Sequence, residues 1–128
     1  MRIDMDTHYT PFEALRRLDG KFGADGLRFG HDQRAGDEGI YYHKYTHNKQ
    51  SSVPDLKQRL VDMDIAEFDK QVLICGSRLT YYETTPEVGM AICRACNEGS
   101  AEAMRFSDRF IGAAIVPLMN GVDTAERM

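Results

Sequence analysis

Several things are missing from this chain of 128 residues, and each absence removes a class of function. It has no run of about 18 apolar residues, the length a membrane-spanning helix needs. The N-terminus enters a strand-like pattern at once, without the apolar stretch of a secretory leader, so the expected compartment is the cytoplasm. An excess of positive charge is absent: the net charge is −4, and Arg16, Arg17, Lys21, Arg28, Lys44, Lys49, Arg94 and Arg105 are scattered. That leaves no electrostatic footprint for nucleic acid or an anionic membrane surface. Cysteine is scarce. Cys75, Cys93 and Cys96 make no disulfide framework. Cys93 and Cys96 have the spacing of a redox or zinc motif, but they fall inside a helical pattern and no second such pair exists. They read as helix cysteines packing at i and i+3.

What is present is a soluble, globular composition, 42% hydrophobic and 28% charged, in a length that suits one modest domain with its own core. The most informative stretch comes first: Arg2-Ile3-Asp4-Met5-Asp6-Thr7-His8-Tyr9. Read as a strand, it alternates faces with period 2, so Asp6 and His8 point the same way, roughly 7 Å apart along the strand. A carboxylate and an imidazole side by side at a strand end are oxygen and nitrogen donors suited to a divalent metal, zinc or manganese. The same alternation puts Asp4 on their face, one pleat deeper, where an acid must be hydrogen-bonded or paired. Ile3 and Met5 take the other face.

Further along, Thr10-Pro11-Phe12-Glu13 has the spacing of a capping box and predicts a short helix ending near Asp19-Gly20. Residues 20–52 carry six glycines, many charges and no apolar periodicity, which predicts a long irregular loop. Within it, the aromatic and histidine-rich 40–47 segment favours an ordered flap. A helix is expected from about Val53-Pro54, with Leu56, Leu60 and Met63 on its buried side. Gln71 to Gly76 and Phe110 to Pro117 are continuous apolar runs, typical of strands buried on both faces. Between them a helix over 86–106 is predicted, capped by Thr85, with Pro86 in its first turn and Val88, Ile92, Ala95, Gly99 and Ala103 buried. Residues 123–128 read as the opening of another helix. Strand, helix, strand, helix, strand without polar alternation implies an α/β fold with a parallel sheet. With no closing signal for the last helix, the chain reads as the front of a larger α/β protein.

In this order the chain resembles the amidohydrolase-related metal-dependent enzymes (amidohydrolase 2), in particular their aminocarboxymuconate-semialdehyde decarboxylase-like branch. Three stretches carry the resemblance. The first is Ile3-Asp4-Met5-Asp6-Thr7-His8-Tyr9, where that family places a ligand-x-His pair at the end of the first barrel strand. The second is Arg59-Leu60-Val61-Asp62-Met63-Asp64 with Gln71-Val72-Leu73. The third runs from Pro86-Glu87 through Ile92-Cys93-Arg94-Ala95 to Asp108-Arg109-Phe110-Ile111-Gly112 and Val116-Pro117-Leu118.

The resemblance implies a (β/α)8 TIM barrel of about 250 residues or more, of which residues 1–128 would supply about the first three strands of a single domain, interrupted by the 20–52 insertion. It implies that Asp6 and His8 are metal ligands, with zinc the first expectation and manganese the second, and that the remaining ligands and the catalytic acid or base lie outside this chain. Many relatives have histidine where Asp6 stands; others carry an acid there. Some of the family's decarboxylases hold the substrate carboxylate with an arginine after the first strand. Here His47 falls nearest, flanked by Lys44 and Lys49. Tyr9, His43, His47 and Arg78 are the candidate substrate contacts, and Asp4 a support for the ligands.

The implied activity is metal-assisted decarboxylation of a small, aromatic or unsaturated carboxylic acid. Hydrolysis of a lactone, ester or amide on the same fold is the alternative, since both reactions need the same ligands. A third reading is non-catalytic: a truncated relative that associates through its sheet edges. A homodimer is the expected state of a full-length enzyme. A flavodoxin-like domain would need a phosphate loop, and Ile74-Cys75-Gly76-Ser77-Arg78 lacks the glycine spacing for one.

Overall fold

The computed structural model describes residues 1–42, 45–49, 54–76, 79, 84–118 and 121–127. Two three-stranded sheets organise them. One is parallel, ordered β1 (Ile3–Tyr9), β5 (Lys70–Cys75), β6 (Phe110–Gly112). The other is an antiparallel meander of β2 (Arg28–Asp32), β3 (Asp37–Tyr42) and β4 (Tyr45–Asn48). Four helices accompany them: α1 (Phe12–Arg16), α2 (Leu56–Ile65), α3 (Pro86–Phe106) and α4 (Val122–Glu126). The parallel strands lie in chain order, each reached by a helical crossover, as in the opening of a β/α barrel.

The two crossover helices form where their sequences direct. Asp55 caps α2, its carboxylate accepting the Lys57 and Gln58 amides at 2.9 and 3.2 Å. Thr85 caps α3 through the Val88 amide, and Pro86 occupies the first turn. The predicted stripe Val88, Ile92, Ala95, Gly99 and Ala103 is buried throughout. Met63, Ala103, Leu73, Tyr9 and Phe110 form one apolar cluster, with Leu56 and Leu60 against it, so α2 and α3 cover the same side of the parallel sheet.

The 20–52 segment differs from its expected form: it contains the three-stranded meander. Ile40 and Tyr42 are buried and Tyr41 between them is 37% exposed, a period-2 pattern that consecutive aromatic residues hid in the sequence. Leu27, Ile40 and Tyr42 join Phe12, Leu15, Cys75, Leu79, Val88 and Ile92 in one core, which fastens the meander to the end of the parallel sheet.

Three local expectations also change. The capping box at Thr10 does not form: Pro11 is the residue before α1, no side chain caps the helix, and Glu13 pairs with Arg16 instead. Strand β6 is three residues long rather than eight. Past Ala113, whose amide still reaches the Leu73 carbonyl, Asn97 of α3 takes both the amide and the carbonyl of Ile115, at 2.8 and 2.9 Å. The backbone thus satisfies its hydrogen bonds on a side chain rather than on a strand. The cysteines behave as packing residues, all three free and buried, with Cys75 Sγ 2.8 Å from Cys96 Sγ.

Candidate metal centre

The geometry of β1 decides the site. Its register against β5 runs Ile3 to Lys70 and Asp4 to Gln71, then slips, resuming at Thr7 to Leu73, His8 to Ile74 and Tyr9 to Cys75. Three steps on β1 match two on β5, which is a β-bulge between Asp4 and Thr7. The bulge re-aims the side chains. Asp4, Thr7 and Tyr9 share the side of Gln71, Leu73 and Cys75, which faces α2 and α3. His8 takes the other side with Ile74. Asp6 joins it there, its Oδ1 3.9 Å from His8 Nε2.

Both side chains are open to solvent, 80% exposed for Asp6 and 65% for His8, at the C-terminal end of the first parallel strand. That is the end where β/α barrels place their reacting groups. Two donors each about 2.0–2.1 Å from a tetrahedral zinc stand about 3.3 Å apart. A small side-chain rotation brings this pair to that separation, so the residues fit half of a metal site. Among the described residues no third His, Cys, Asp or Glu joins them.

The other expected site residues fall elsewhere. Asp4 is not on the His8 face: the bulge turns it to the helix side, where its Oδ2 accepts the Gln71 amide at 3.3 Å. Tyr9, read from the sequence as a pocket-mouth residue, is 6% exposed in the apolar cluster behind the strand. Burial pushes its phenol up to about 12, against the pull of the nearby Arg59 guanidinium. His47 pairs with Ile40 in the meander, and its side chain lies outside the described residues. His43, Lys44 and Arg78 also lie outside them.

Two buried polar neighbours of β1, Arg59 and Gln71, were given no role in the sequence reading. Arg59 projects from α2 into the space behind β1, only 4% exposed. Its Nη2 donates to the His8 carbonyl at 2.9 Å and its Nη1 to Gln71 Oε1 at 3.3 Å, while the guanidinium lies 5.6 Å from the Tyr9 ring centre. Burial lowers its pKa, and Tyr9, Asp62 and Asp4 oppose that shift. The available signal was a charge on the same helical stripe as Leu56, Leu60 and Met63, and a Gln opening an apolar strand.

No protein-family model matches the chain, and no curated protein matches it. Solved structures do. IDCase of Metarhizium anisopliae, in apo form, superposes with a TM-score of 0.70 at 13% identity, over 98% of this chain and 37% of that one. The fold is that of the first part of a β/α TIM barrel. Amidohydrolase map2389c from Mycobacterium avium subsp. paratuberculosis K-10 gives a TM-score of 0.61 at 19% identity, covering 98% of this chain and 45% of its own. The 4-oxalomesaconate hydratase LigJ from Rhodopseudomonas palustris gives 0.59 at 22%, covering 99% and 37%. The chain therefore spans less than half the length of these structures.

Proposed function

We propose that Asp6 and His8 are the first two ligands of a divalent-metal site, in a barrel enzyme that performs lyase or hydrolase chemistry on a small carboxylic acid. The observation that carries this reading is their placement. An acid and an imidazole share the open face at the C-terminal end of the first parallel strand, within 4 Å of each other, in a fold whose solved neighbours include an amidohydrolase and a hydratase. Zinc suits the mixed donors best, with manganese second. The metal would supply Lewis acidity or an activated water; the two side chains would hold and orient it. Asp6 adds negative charge, which makes the metal a weaker Lewis acid than two histidines would. Decarboxylation of an aromatic or unsaturated acid is the preferred reaction, and hydrolysis of a C–O or C–N bond uses the same pair.

The test is equilibrium dialysis against zinc, read by elemental analysis, for the protein, His8→Ala and Asp6→Ala. The expected result is uptake that falls at least about tenfold in affinity in each variant. Equal uptake in all three would sink the reading.

A second reading, association without catalysis, is favoured by one observation. β1 and β6 are edges of the parallel sheet, and Met5 and Ile111 are exposed on those strands. It expects a sedimentation mass above 14.5 kDa and no His8-dependent zinc.

A further inference from the structure

We propose that the partly buried Arg59–Gln71–Asp4 network is a positioning device that holds the bulge of β1 from behind and so keeps Asp6 and His8 on one face. Its functional consequence rests on the metal reading of that pair; its structural part does not.

The network starts and ends on the backbone of the bulged segment. Arg59 donates to the His8 carbonyl and to Gln71, Gln71 donates to Asp4, and Asp4 Oδ1 receives the Asp6 amide in a long contact of 3.5 Å. It therefore straddles the register slip between Asp4 and Thr7. Parity explains why this matters. Asp4 and His8 are four residues apart and share a face in any regular strand. The network requires Asp4 on the helix side, while His8 stands on the open side. Only an extra residue between them satisfies both. Shifting a strand by one residue exchanges its two faces, so losing the Asp4 anchor frees β1 to take registers in which Asp6 and His8 no longer meet. Gln71, 8% exposed, is the central piece: its amide group is oriented with oxygen to Arg59 and nitrogen to Asp4. Replacing a buried charge by an apolar side chain is often neutral or stabilising, so packing alone gives no reason for a guanidinium at position 59.

The experiment uses Gln71→Glu, which keeps an acceptor for Arg59 but turns an oxygen toward Asp4. It also uses the double variant Asp4→Asn/Gln71→Glu, which restores that link with donor and acceptor exchanged. Asp4→Ala removes the anchor without burying a new charge and serves if Gln71→Glu does not fold. Amide hydrogen exchange at residues 5–8 of the metal-free protein and zinc affinity are both measured, with His8→Ala as reference. Gln71→Glu and Asp4→Ala are expected to speed exchange at residues 5–8 by about tenfold and to weaken zinc about 10- to 100-fold. The double variant is expected to recover most of both. Unchanged exchange in Gln71→Glu and Asp4→Ala overturns the proposal. So does faster exchange with unchanged affinity, provided that His8→Ala has lost zinc. If His8→Ala binds zinc like the parent, the metal reading fails, and exchange alone decides whether the network holds the bulge.

Discussion

Gly99→Ala tests whether the contact between α1 and α3 is as close as the structure has it. A Cβ built on Gly99 would stand 2.2 Å from Pro11 Cβ, 2.8 Å from Pro11 Cγ and 3.3 Å from Ala14 Cβ. An ordinary carbon–carbon contact is about 3.5 Å or more, so the helices must part by about 1.3 Å at this point. Neither neighbour can swing away: one is a ring fused to the backbone, the other a single methyl. Overpacking of this kind costs about 3 kcal/mol at its upper range, and alanine returns about 1 kcal/mol over glycine inside a helix, leaving about 2 kcal/mol of net loss. For a domain of this size that lowers the melting temperature by about 6–10 °C. Calorimetry or thermal circular dichroism reads it. Pro11→Gly removes both offending carbons, so the double variant should show a favourable coupling of about 1 kcal/mol or more between the two sites. A melting temperature at or above the parent's would refute the close approach, since only the propensity gain would then remain. The consequence reaches the site, because Pro11 is two residues past the end of β1 and its seat on Gly99 fixes how the chain leaves Asp6 and His8.

Other outcomes follow from the charges and thiols. Arg16 grips Glu38 with both nitrogens and holds its carboxyl below the usual carboxylate range. Glu38→Gln should cost about 1 kcal/mol or less at neutral pH, the pair being partly exposed. A depressed folded pKa contributes stability above the ordinary carboxylate pKa and loses it as pH falls through the folded value. The difference between Glu38→Gln and parent in urea unfolding should therefore begin to shrink as pH falls below the ordinary carboxylate value of about 4.3 and keep shrinking at lower pH; a difference undiminished in acid would contradict the pairing. Burial pushes the Cys93 thiol up to about 11, and the neighbouring Cys75 thiol together with burial pushes Cys96 well above the ordinary thiol range. A raised folded pKa contributes stability below the unfolded value and loses it as pH rises through the folded one. Stability should decline between pH 9 and about 11, measured by denaturant midpoint, and decline less steeply in Cys93→Ser. At pH 8 the native thiols should react with a disulfide reagent far more slowly than the three thiols of the denatured protein; rapid native labelling would count against their burial.

Helix α3 was legible in full. Its cap, its proline and its apolar stripe are all local signals, and no other part of the chain has to be known for them to act. Strands β5 and β6 were legible as apolar runs, but the expected burial on both faces is not met: Val72 and Ile74 are half-buried and Ile111 is 37% exposed, and the length of β6 is decided by Asn97 from across the fold. The meander was not legible, since its alternation is carried by tyrosines and glycines that look alike on either face until the Phe12–Leu15 cluster covers one of them. The pairing of Asp6 with His8 was read correctly from period 2, but the company of Asp4 was not: a bulge adds one residue, and one residue reverses a face.

By itself, then, the sequence determined the order of strands and helices and the position of an acid and a histidine at a strand end, because these depend on local propensity and periodicity. The tertiary structure alone decided that the charged neighbours Asp4 and Arg59 lie behind that pair rather than beside it. That choice rests on a partly buried hydrogen-bond network joining α2, β5 and β1, residues up to 67 positions apart, and no local pattern can specify it.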